Sequence, residues 1–354
     1  MNRFKVGLLV LLGVFLLGLL PNLDLAEQLV WSQQKLKVGV VVPASRFDQG
    51  WNQAAPDSIE SIADELGLEV EIAEQAGYGD ISPILRDWAF RGFDIVICHA
   101  SGYQTVCPEV AQQTGLKVVI VENMPAVTPN LVADYETQAQ EGAYLAGVLA
   151  GMITRTNTVG VVVSAEPPTW NFMTVGFAEG VHSVNPSARL LYNVIGDAAY
   201  EDAAGAKRNT EAQIAAGADV VFGQGDGATF GMLQAVQENE ATDGGKVWFI
   251  DVIGDKRTID PTNSILTSVL FDYSGIFSAM VNNIRDGTFG KIHTMTVQNG
   301  GVRLLAPPAT ISVEARTALA QAEADLLTGR VVVSAIGNVA GLRARLEELF
   351  PDSF

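Results

Sequence analysis

Short apolar runs alternate with helical patterns along most of the chain. Nine runs rich in β-branched residues consist almost entirely of apolar residues. Strands of a parallel sheet that is buried on both faces have this same pattern. They predict strands at 36–42, 68–73, 93–98, 117–121, 159–163, 190–194, 219–222, 247–251 and 265–270. Between them, helical spacing predicts helices near 52–66, 80–91, 102–114, 136–154, 170–184, 202–216 and 226–239. Strands and helices in alternation predict an α/β fold.

The alternating pattern occurs twice, and a helix rich in alanine and glycine at 137–153 separates the two halves. Each half has about the number of strands that makes one small sheet. We therefore predict two doubly wound parallel sheets in tandem, with a single ten-stranded sheet as the alternative. In tandem sheets of this kind, a ligand binds in the crevice at the carboxyl ends of the strands.

The C-terminal part continues with helical patterns at 274–285 and 313–327, followed by a tail. In this tail, at 334–354, the residues Leu342, Leu346 and Leu349 share one face of a predicted amphipathic helix. We expect the helix to pack on its own domain.

The N-terminus has the pattern of a secretory signal. Arg3 and Lys5 precede an apolar stretch at 6–20 that only glycines interrupt. This stretch is short for a membrane span, which needs about twenty residues, but the residues before Ala26 lack the small-x-small pattern of a cleavage site. We predict a signal peptide or an N-terminal anchor at 1–26, and an extracytoplasmic location in the periplasm or at the outer face of the cytoplasmic membrane.

Export would place the two cysteines, Cys98 and Cys107, in an oxidising compartment. A disulfide between them is one expectation. The other is that Cys98, which ends an apolar run, is simply a core residue.

The composition argues against several function classes. Of the 354 residues, 40 are acidic and 22 are basic, which gives a net charge of −18, whereas nucleic-acid binding needs a basic surface. Three histidines and two cysteines leave little material for a zinc site. The sequence also lacks the nucleophile-elbow, zinc-protease, Cys-x-x-Cys and Walker motifs. We expect no nucleic-acid partner, no metal, no cofactor and no enzymatic activity.

A glycine-rich loop follows the predicted strand at 219–222. It reads Gly-Gln-Gly-Asp-Gly-Ala from Gly223 and formally matches a dinucleotide-binding fingerprint, with Asp243 twenty residues later. A true fingerprint follows the first strand of its unit and its acidic residue ends the second strand, whereas Asp243 lies in a polar stretch. We therefore interpret Gly225 as part of a turn whose backbone N–H groups approach a ligand at a helix N-terminus.

Aromatic, amide and carboxylate side chains recur where the predicted strands end. The loop after the first strand supplies Asp48, Trp51 and Asn52 at a strand-to-helix junction. Similar positions carry His99, Tyr103, Trp170, Tyr200, Asp251 and Asp255. Flat polar ligands are bound by rings that stack on them and by fixed groups that hydrogen-bond their edges. A helix N-cap role is the alternative for Asp48 or Asn52, and for His99 we expect hydrogen bonding rather than acid–base chemistry.

Three segments, in the same order along the chain, carry a resemblance to a known family. They are Asp-Gln-Gly-Trp-Asn-Gln at 48–53, Gly-Ala-Tyr-Leu-Ala-Gly at 142–147 and Gly-Phe-Ala-Glu-Gly at 176–180. They are similar to the Asp-Lys-Gly-Phe-Asn-Gln, Gly-Ser-Phe-Leu-Ala-Gly and Gly-Phe-x-x-Gly segments of the basic membrane protein family. This family of extracytoplasmic solute receptors includes purine nucleoside receptors of bacterial ABC importers. The resemblance covers about 36–333.

The resemblance implies a type I periplasmic binding protein fold, in which hinge strands join two lobes that close over a ligand. Lobe 1 is then 36–152 plus about 270–298, and lobe 2 is 155–267 plus about 299–333. It also implies a receptor that captures a purine-like molecule, nucleoside or free base, and passes it to ABC permease subunits. A membrane-anchored sensor or regulator without transport is the alternative. An enzyme that acts on a nucleoside with Asp48 as base is the least favoured hypothesis.

In the family, an acid or amide of the first loop binds the base, aromatic rings sandwich it, and later acid and lysine positions hold the ribose. The residues that match in type are Asp48, Trp51, Asn52 and Tyr200. Two positions depart from the family pattern, because Ile253 replaces an aspartate and Phe271 replaces a lysine. An apolar side chain cannot hydrogen-bond a ribose hydroxyl, so these departures weaken the nucleoside expectation, unless Asp251 or Asp255 compensates.

Overall fold

The computed structural model describes residues 35–353, so the predicted signal peptide or anchor at 1–26 lies outside the described residues. The described part has twelve strands and ten α-helices. The strands are β1 (Leu36–Val41), β2 (Leu68–Ala73), β3 (Ile95–Cys98), β4 (Lys117–Val121), β5 (Val132–Thr137), β6 (Thr158–Val163), β7 (Arg189–Val194), β8 (Val220–Gln224), β9 (Trp248–Ile253), β10 (Ile265–Phe271), β11 (Ile292–Met295) and β12 (Val302–Leu304). The helices are α1 (Trp51–Ser61), α2 (Ser82–Phe90), α3 (Val106–Thr114), α4 (Ala139–Ile153), α5 (Pro168–Val184), α6 (Ala203–Ala215), α7 (Thr229–Glu238), α8 (Ser274–Arg285), α9 (Val313–Leu327) and α10 (Val339–Leu349). Within 35–353, none of the helices is long and apolar enough to cross a membrane.

The strands form two six-stranded sheets. Sheet 1 has the order β11-β5-β4-β3-β1-β2, and all of its neighbouring strands are parallel. Sheet 2 has the order β12-β10-β9-β8-β6-β7, and only β12 is antiparallel to its neighbour. The prediction of two doubly wound α/β sheets is confirmed, and the alternative of a single ten-stranded sheet is wrong.

Both sheets have the same internal topology. The strand order reverses beside β1 in sheet 1 and beside β6 in sheet 2. Ligands of doubly wound sheets bind outside the carboxyl ends of the strands at such a reversal. From the topology we therefore expect a ligand site among the loops that follow β1, β3, β6 and β8.

All nine predicted strands are present, with ends that agree within two residues. The strands β5, β11 and β12 were not predicted. β5 interrupts its apolar residues with carboxylates, and β11 and β12 have only four and three residues. Because β5 extends to Thr137, helix α4 begins at Ala139 rather than at 136 or 137. Helix α1 ends at Ser61 instead of 66, because turns occupy 62–67.

Helices α4 and α5 pack closely because glycines line their contact. A Cβ atom on Gly147 would overlap the carbonyl oxygen of Phe177. A Cβ atom on Gly180 would likewise overlap the carbonyl oxygen of Tyr144. The glycine and alanine content of α4 thus lets two helix backbones approach each other.

The chain crosses between the two sheets three times. It passes through α4 between β5 and β6, through α8 between β10 and β11, and directly from β11 to β12. The C-terminal helix α10 packs on α5 and buries Leu342, Leu346 and Leu349. The tail thus contains a helix whose three leucines face the protein interior.

A disulfide joins strand β3 to helix α3. It links Cys98 and Cys107, whose Cα atoms are 6.8 Å apart. Both side chains are fully buried. The alternative of an unpaired core cysteine at position 98 is therefore wrong, although Cys98 does lie in the core.

Candidate ligand-binding site

Loops from the carboxyl ends of the two sheets meet across one cleft. The carbonyl oxygen of Gln49, after β1, lies so close to Gly254, after β9, that a Cβ atom at Gly254 would overlap it. Tyr78, after β2, and Tyr200, after β7, stack with ring centroids 6.1 Å apart and planes at 21°. The cleft is therefore closed at two separate points.

Asp48 and Asn52 hold the start of helix α1. Asp48 Oδ1 accepts hydrogen bonds from the backbone N–H groups of Gly50 (2.9 Å) and Gln53 (3.1 Å). Asp48 Oδ2 accepts from the backbone N–H (2.9 Å) and the side-chain amide (2.7 Å) of Asn52. Asn52 is fully buried and accepts a hydrogen bond from the N–H of Ala44 at 3.2 Å. Four donors occupy the acceptor positions of the carboxylate, so Asp48 fixes the first turn of α1, although the N-cap residue itself is Gly50.

Trp51 and His99 form a stack above sheet 1, with ring centroids 4.1 Å apart and planes at 18°. Trp51 Nε1 donates to the carbonyl oxygen of His99 (3.0 Å), and His99 Nε2 donates to the carbonyl oxygen of Trp51 (2.9 Å). The hydroxyl of Tyr135 donates to His99 Nδ1 at 2.5 Å. Burial lowers the pKa of His99 to about 3, so the ring is neutral and carries its proton on Nε2. Both ring nitrogens of His99 are therefore hydrogen-bonded within the protein.

Two tyrosines that the sequence does not single out complete this aromatic cluster. Tyr273, after β10, meets Trp51 edge-on at 6.3 Å and His99 edge-on at 5.2 Å. The ring centroids of Tyr135 and Tyr273 are 5.6 Å apart. Both tyrosines are fully buried, and the Tyr273 hydroxyl has no hydrogen-bond partner among residues 35–353. Tyr135 is hard to find from sequence because its strand, β5, is not visible in the apolar pattern.

A second aromatic group lies on the sheet 2 side of the cleft. Trp170, in α5, meets Tyr200 edge-on with ring centroids 5.4 Å apart and planes at 75°. Tyr200 also stacks on Tyr78, so two sequence-predicted residues and one new residue share this group. Tyr103 has a different role, because its buried side chain donates its hydroxyl hydrogen to the carbonyl oxygen of Gly77. Tyr103 therefore fixes the loop that carries Tyr78.

Buried charged groups lie at the ends of β8 and β9. Lys256 Nζ is 2.7 Å from Asp251 Oδ2, and both side chains are fully buried. Asp226 is 5% exposed, and its Oδ1 has no hydrogen-bond partner within the described part of the chain. Burial, followed by the carboxylates of Asp48 and Glu201, raises the pKa of Asp226 well above its usual range, whereas Lys256 lowers it. Burial also raises the pKa of Asp251, against the opposing effect of Lys256.

The sequence interpretation missed Asp226 and Lys256. Asp226 lies in the glycine-rich loop that we single out only for its backbone. Lys256 follows Asp255, and no local pattern separates a buried lysine from an exposed one. The family resemblance implies a lysine where this chain has Phe271, whereas the structure places a buried lysine after β9 instead.

Gly225 lies in a tightly packed turn directly before helix α7. We predicted a turn before a helix at this position. The carbonyl oxygen of Gly225 accepts a hydrogen bond from the hydroxyl of Thr229, the first residue of α7. A Cβ atom on Gly225 would lie 3.1 Å from the Cβ of Ala228, and one on Gly227 would overlap the Glu201 carboxylate. The glycines thus allow the loop to pass close to its neighbours.

Phe271 lies beside the Trp51–His99 cluster, because its ring meets that of Tyr273 edge-on with ring centroids 6.4 Å apart. Asp255 is exposed and pairs with Arg257 at 2.5 Å. Phe271 is buried at the end of β10. Both line a cavity of about 600 Å³ whose lining includes neither Tyr200 nor Asp226. The structure therefore places Phe271 next to the aromatic cluster, whereas the carboxylate of Asp255 is paired with Arg257.

Two carboxyl groups that the sequence does not reveal lie near strands β4 and β5: Glu122 is half-buried and follows β4, and Asp134 is fully buried within β5. Glu122, after β4, accepts a hydrogen bond from the hydroxyl of Thr169 in α5, which is a third contact between the two sheets. Burial, followed by the charge of Glu136, raises the pKa of Glu122 to about 7. Asp134 accepts a hydrogen bond from the N–H of Asn123 at 2.9 Å, and burial raises its pKa to about 8.

Comparison with known families decides the assignment of the chain. The family model for Bmp, the PnrA-like ABC transporter substrate-binding protein, matches residues 35–335. The chain belongs to this Bmp family. The resemblance seen in the three sequence motifs is confirmed. Bmp proteins are substrate-binding components of ABC transporters, which supports a binding role over an enzymatic one.

Relatives of known name differ in role. The ABC transporter nucleoside-binding protein BmpA of Lactococcus lactis is 25% identical over 327 residues, covering 84% of this chain and 89% of the relative. The transcriptional activator protein med of Bacillus subtilis is 24% identical over 270 residues, covering 76% of this chain and 81% of the relative.

Solved structures share the fold of this Bmp protein. A solute-binding protein of an ABC transporter system from Aeropyrum pernix K1 superposes with a TM-score of 0.77 at 19% identity, covering 90% of this chain and 98% of that chain. A transcriptional activator of the comK gene from Bacillus halodurans superposes with a TM-score of 0.68 at 18% identity, covering 84% and 99%. These likenesses support the two-sheet architecture of a periplasmic solute-binding protein.

Proposed function

We propose that this Bmp protein is the extracytoplasmic receptor of an ABC importer. It captures a purine-like molecule, either a nucleoside or a free base, and hands it to the ABC permease subunits. The ligand lies between lobe 1, at 36–152 plus about 270–298, and lobe 2, at 155–267 plus about 299–333. The name of the L. lactis relative supports a nucleoside-like ligand.

One observation carries this proposal. Aromatic rings and buried hydrogen-bonding groups from both sheets meet at the strand ends, where Tyr78 stacks on Tyr200 beside Trp170. Asp226 lies on the same side of the cleft and acts on the pKa of Tyr200. Rings provide stacking surfaces for a flat heterocycle, and a fixed carboxylate orients its N–H edge.

Capture proceeds by hinge closure. The contacts between Gln49 and Gly254, and between Thr169 and Glu122, join loops of opposite sheets. A ligand that contacts both sides binds the closed form more tightly and so increases its population. A dissociation constant of about 1 μM corresponds to about −8.2 kcal/mol, which a stacked ring and a few satisfied hydrogen bonds supply.

Isothermal titration of the purified protein with purine bases and their nucleosides tests the proposal. We expect at least one purine to bind, and we expect Tyr200→Ala and Trp51→Ala to weaken binding by about tenfold or more, because each removes a stacking surface or its support. Phe90→Ala is the control, since Phe90 is 92% exposed. If no purine produces heat, purine is not the ligand class. If both variants bind like the wild type, the site assignment is wrong.

The same titration separates the two purine classes. Nucleosides that bind more tightly than bases would show that a ribose pocket persists, although Ile253 and Phe271 are apolar. Binding of bases alone would indicate a smaller site without ribose contacts.

A sensor or regulator without transport is the second candidate function. It is favoured by the transcriptional activators of B. subtilis and B. halodurans, which are similar to this chain over most of its length. Uptake of a radiolabelled ligand by cells with and without this protein distinguishes the two functions. Uptake that requires the protein supports import, whereas unchanged uptake with a transcriptional response supports the regulator.

A further inference from the structure

Asp226 is a buried carboxylate without a matched donor. Its side chain is 5% exposed, and Oδ1 has no hydrogen-bond partner among residues 35–353. Its backbone carbonyl oxygen accepts a hydrogen bond from the N–H of Thr229 at 3.1 Å, so the loop leading into α7 fixes its position. A buried acceptor that lacks a donor destabilises the folded state, because it has lost its hydrogen bonds to water without replacement. Such a group is expected to find its donor in a bound molecule.

Two neighbouring carboxylates have protein partners of their own. Asp48 accepts four hydrogen bonds from its own loop and from α1. Asp251 forms an ion pair with Lys256 at 2.7 Å, although neither of its oxygens makes a hydrogen bond within the described residues. The carboxyl group of Asp226 therefore differs from both, because it has neither a hydrogen-bond donor nor an ion-pair partner of its own in the described part of the cleft. Asp48, Glu201 and Asp251 add further negative potential around it.

The loop that carries Asp226 is hydrogen-bonded to the loop that carries Tyr200, because the N–H of Ala228 donates to the carbonyl oxygen of Tyr200 at 2.7 Å. The charge of Asp226 acts on the hydroxyl groups of Tyr78, Tyr200 and Tyr273, which come from the loops after β2, β7 and β10. A planar ligand that stacks on Tyr200 would thus present its edge to Asp226. A carboxylate accepts two parallel N–H bonds most strongly from an N–C–N unit that carries two adjacent donors, as in its pairing with arginine.

We infer that Asp226 is a specificity-determining residue that binds an N–C–N donor edge of a flat ligand. The edge that fits is the ring N–H plus amino group of a 2-amino-6-oxopurine, as in guanine, or an amidinium group on an aromatic ring. A ligand that lacks the amino group, as hypoxanthine does, leaves one carboxylate oxygen unpaired. The inference rests on the proposed site, and it narrows the ligand class within that site.

The test compares matched ligands on matched variants. The wild type, Asp226→Asn and Asp226→Ser are titrated with guanosine, inosine, benzamidine and benzamide. We expect the wild type to bind guanosine about tenfold or more tighter than inosine, and benzamidine tighter than benzamide. Both variants should reduce the two ratios to about threefold or less, because an amide or a hydroxyl offers only one acceptor oxygen and cannot accept two parallel N–H bonds on two separate oxygens. Asp197→Asn, at an exposed carboxylate in the same sheet 2 region, should leave the ratios unchanged.

The outcomes separate this inference from the proposed function. If purines bind but the guanosine-to-inosine ratio is near one, or is the same in the Asp226 variants, the inference is wrong and the purine proposal stands. If no purine binds while benzamidine binds and depends on Asp226, the purine proposal is wrong and the inference stands. If neither purines nor benzamidine bind, both fail. Thermal melting of each variant confirms folding, and removal of a buried charge should not lower the melting temperature.

Discussion

At the residue scale, the carboxyl groups of the cleft differ in their hydrogen-bond donors and ion-pair partners. Asp48 accepts four N–H donors, and Asp251 has a lysine partner. Asp226 has neither, and Glu122 has only a neutral hydroxyl donor, so burial dominates and raises the pKa of both. The protonation state of this cleft therefore follows from its local partners and not from the overall charge of the chain.

Glu122→Gln should make the stability of the protein less dependent on pH. The folded pKa of Glu122 is about 7, against 4.5 as its ordinary value, so the folded state binds an extra proton between these pH values. The favourable contribution of the protonated carboxyl is complete below pH about 4.5 and is lost as pH rises through 7. Relative to the wild type, Glu122→Gln should gain about 1–3 kcal/mol between pH 5 and pH 8. Urea denaturation at the two pH values measures this difference.

The control for this prediction is Glu65→Gln, because Glu65 is exposed. It should follow the wild-type dependence on pH. Parallel curves for the wild type and Glu122→Gln would show that Glu122 ionises normally in the folded protein.

At the element scale, backbone approach decides how the helices pack. Helices α4 and α5 touch through Gly147 and Gly180, each of which faces a carbonyl oxygen of the other helix. Glycine lowers intrinsic helix stability by about 1 kcal/mol relative to alanine. At these two positions the lower helix propensity accompanies a short distance between the helix backbones, which a larger residue would not allow. Gly275, near the start of α8, faces open space instead.

The same substitution should therefore have opposite effects in the two settings. Gly180→Ala should destabilise the protein by about 1–3 kcal/mol, because the added methyl group overlaps the carbonyl oxygen of Tyr144. Gly275→Ala should be neutral or stabilise it by up to about 1 kcal/mol. Chemical denaturation of both variants measures the effect, and equal free energies of unfolding would contradict the close packing of α4 on α5.

At the scale of the whole molecule, two sheets with the same topology face each other through their strand ends. Three chain crossings connect them, and loops from each sheet contact the other at Gln49 with Gly254, Tyr78 with Tyr200, and Thr169 with Glu122. The three chain crossings and the loop contacts are what the hinge closure that we propose would rearrange.

Gly254→Ala should hinder closure without unfolding the protein. The new Cβ atom overlaps the carbonyl oxygen of Gln49 only when the two loops meet. We expect weaker binding of any ligand found by titration, by about tenfold, and a radius of gyration from X-ray scattering that shrinks less on ligand addition than in the wild type. Gly275→Ala serves again as the control. Wild-type affinity and compaction in Gly254→Ala would show that this contact is not part of closure.

The sequence by itself determined the architecture of the buried sheets and most of the helices. Parallel strands that are covered on both faces need long apolar runs, so nine strands could be predicted within two residues of their observed ends. The tandem pattern, the amphipathic C-terminal helix and the family motifs are likewise local signals. Strands β5, β11 and β12 carry no such signal, because one is interrupted by carboxylates and two are very short.

Only the tertiary structure decided which side chains share the cleft. The pairing of Cys98 with Cys107, the burial of Lys256 against Asp251 and the isolation of Asp226 depend on which loops meet across the two sheets. For Asp48, the residue type suggested either a ligand contact or a helix N-cap, whereas the structure shows Gly50 at the N-cap and Asp48 hydrogen-bonded to the backbone of the first turn. Local sequence specifies apolar periodicity, whereas the environment of a polar group is set by distant parts of the chain that bury it, pair it or leave it without a partner.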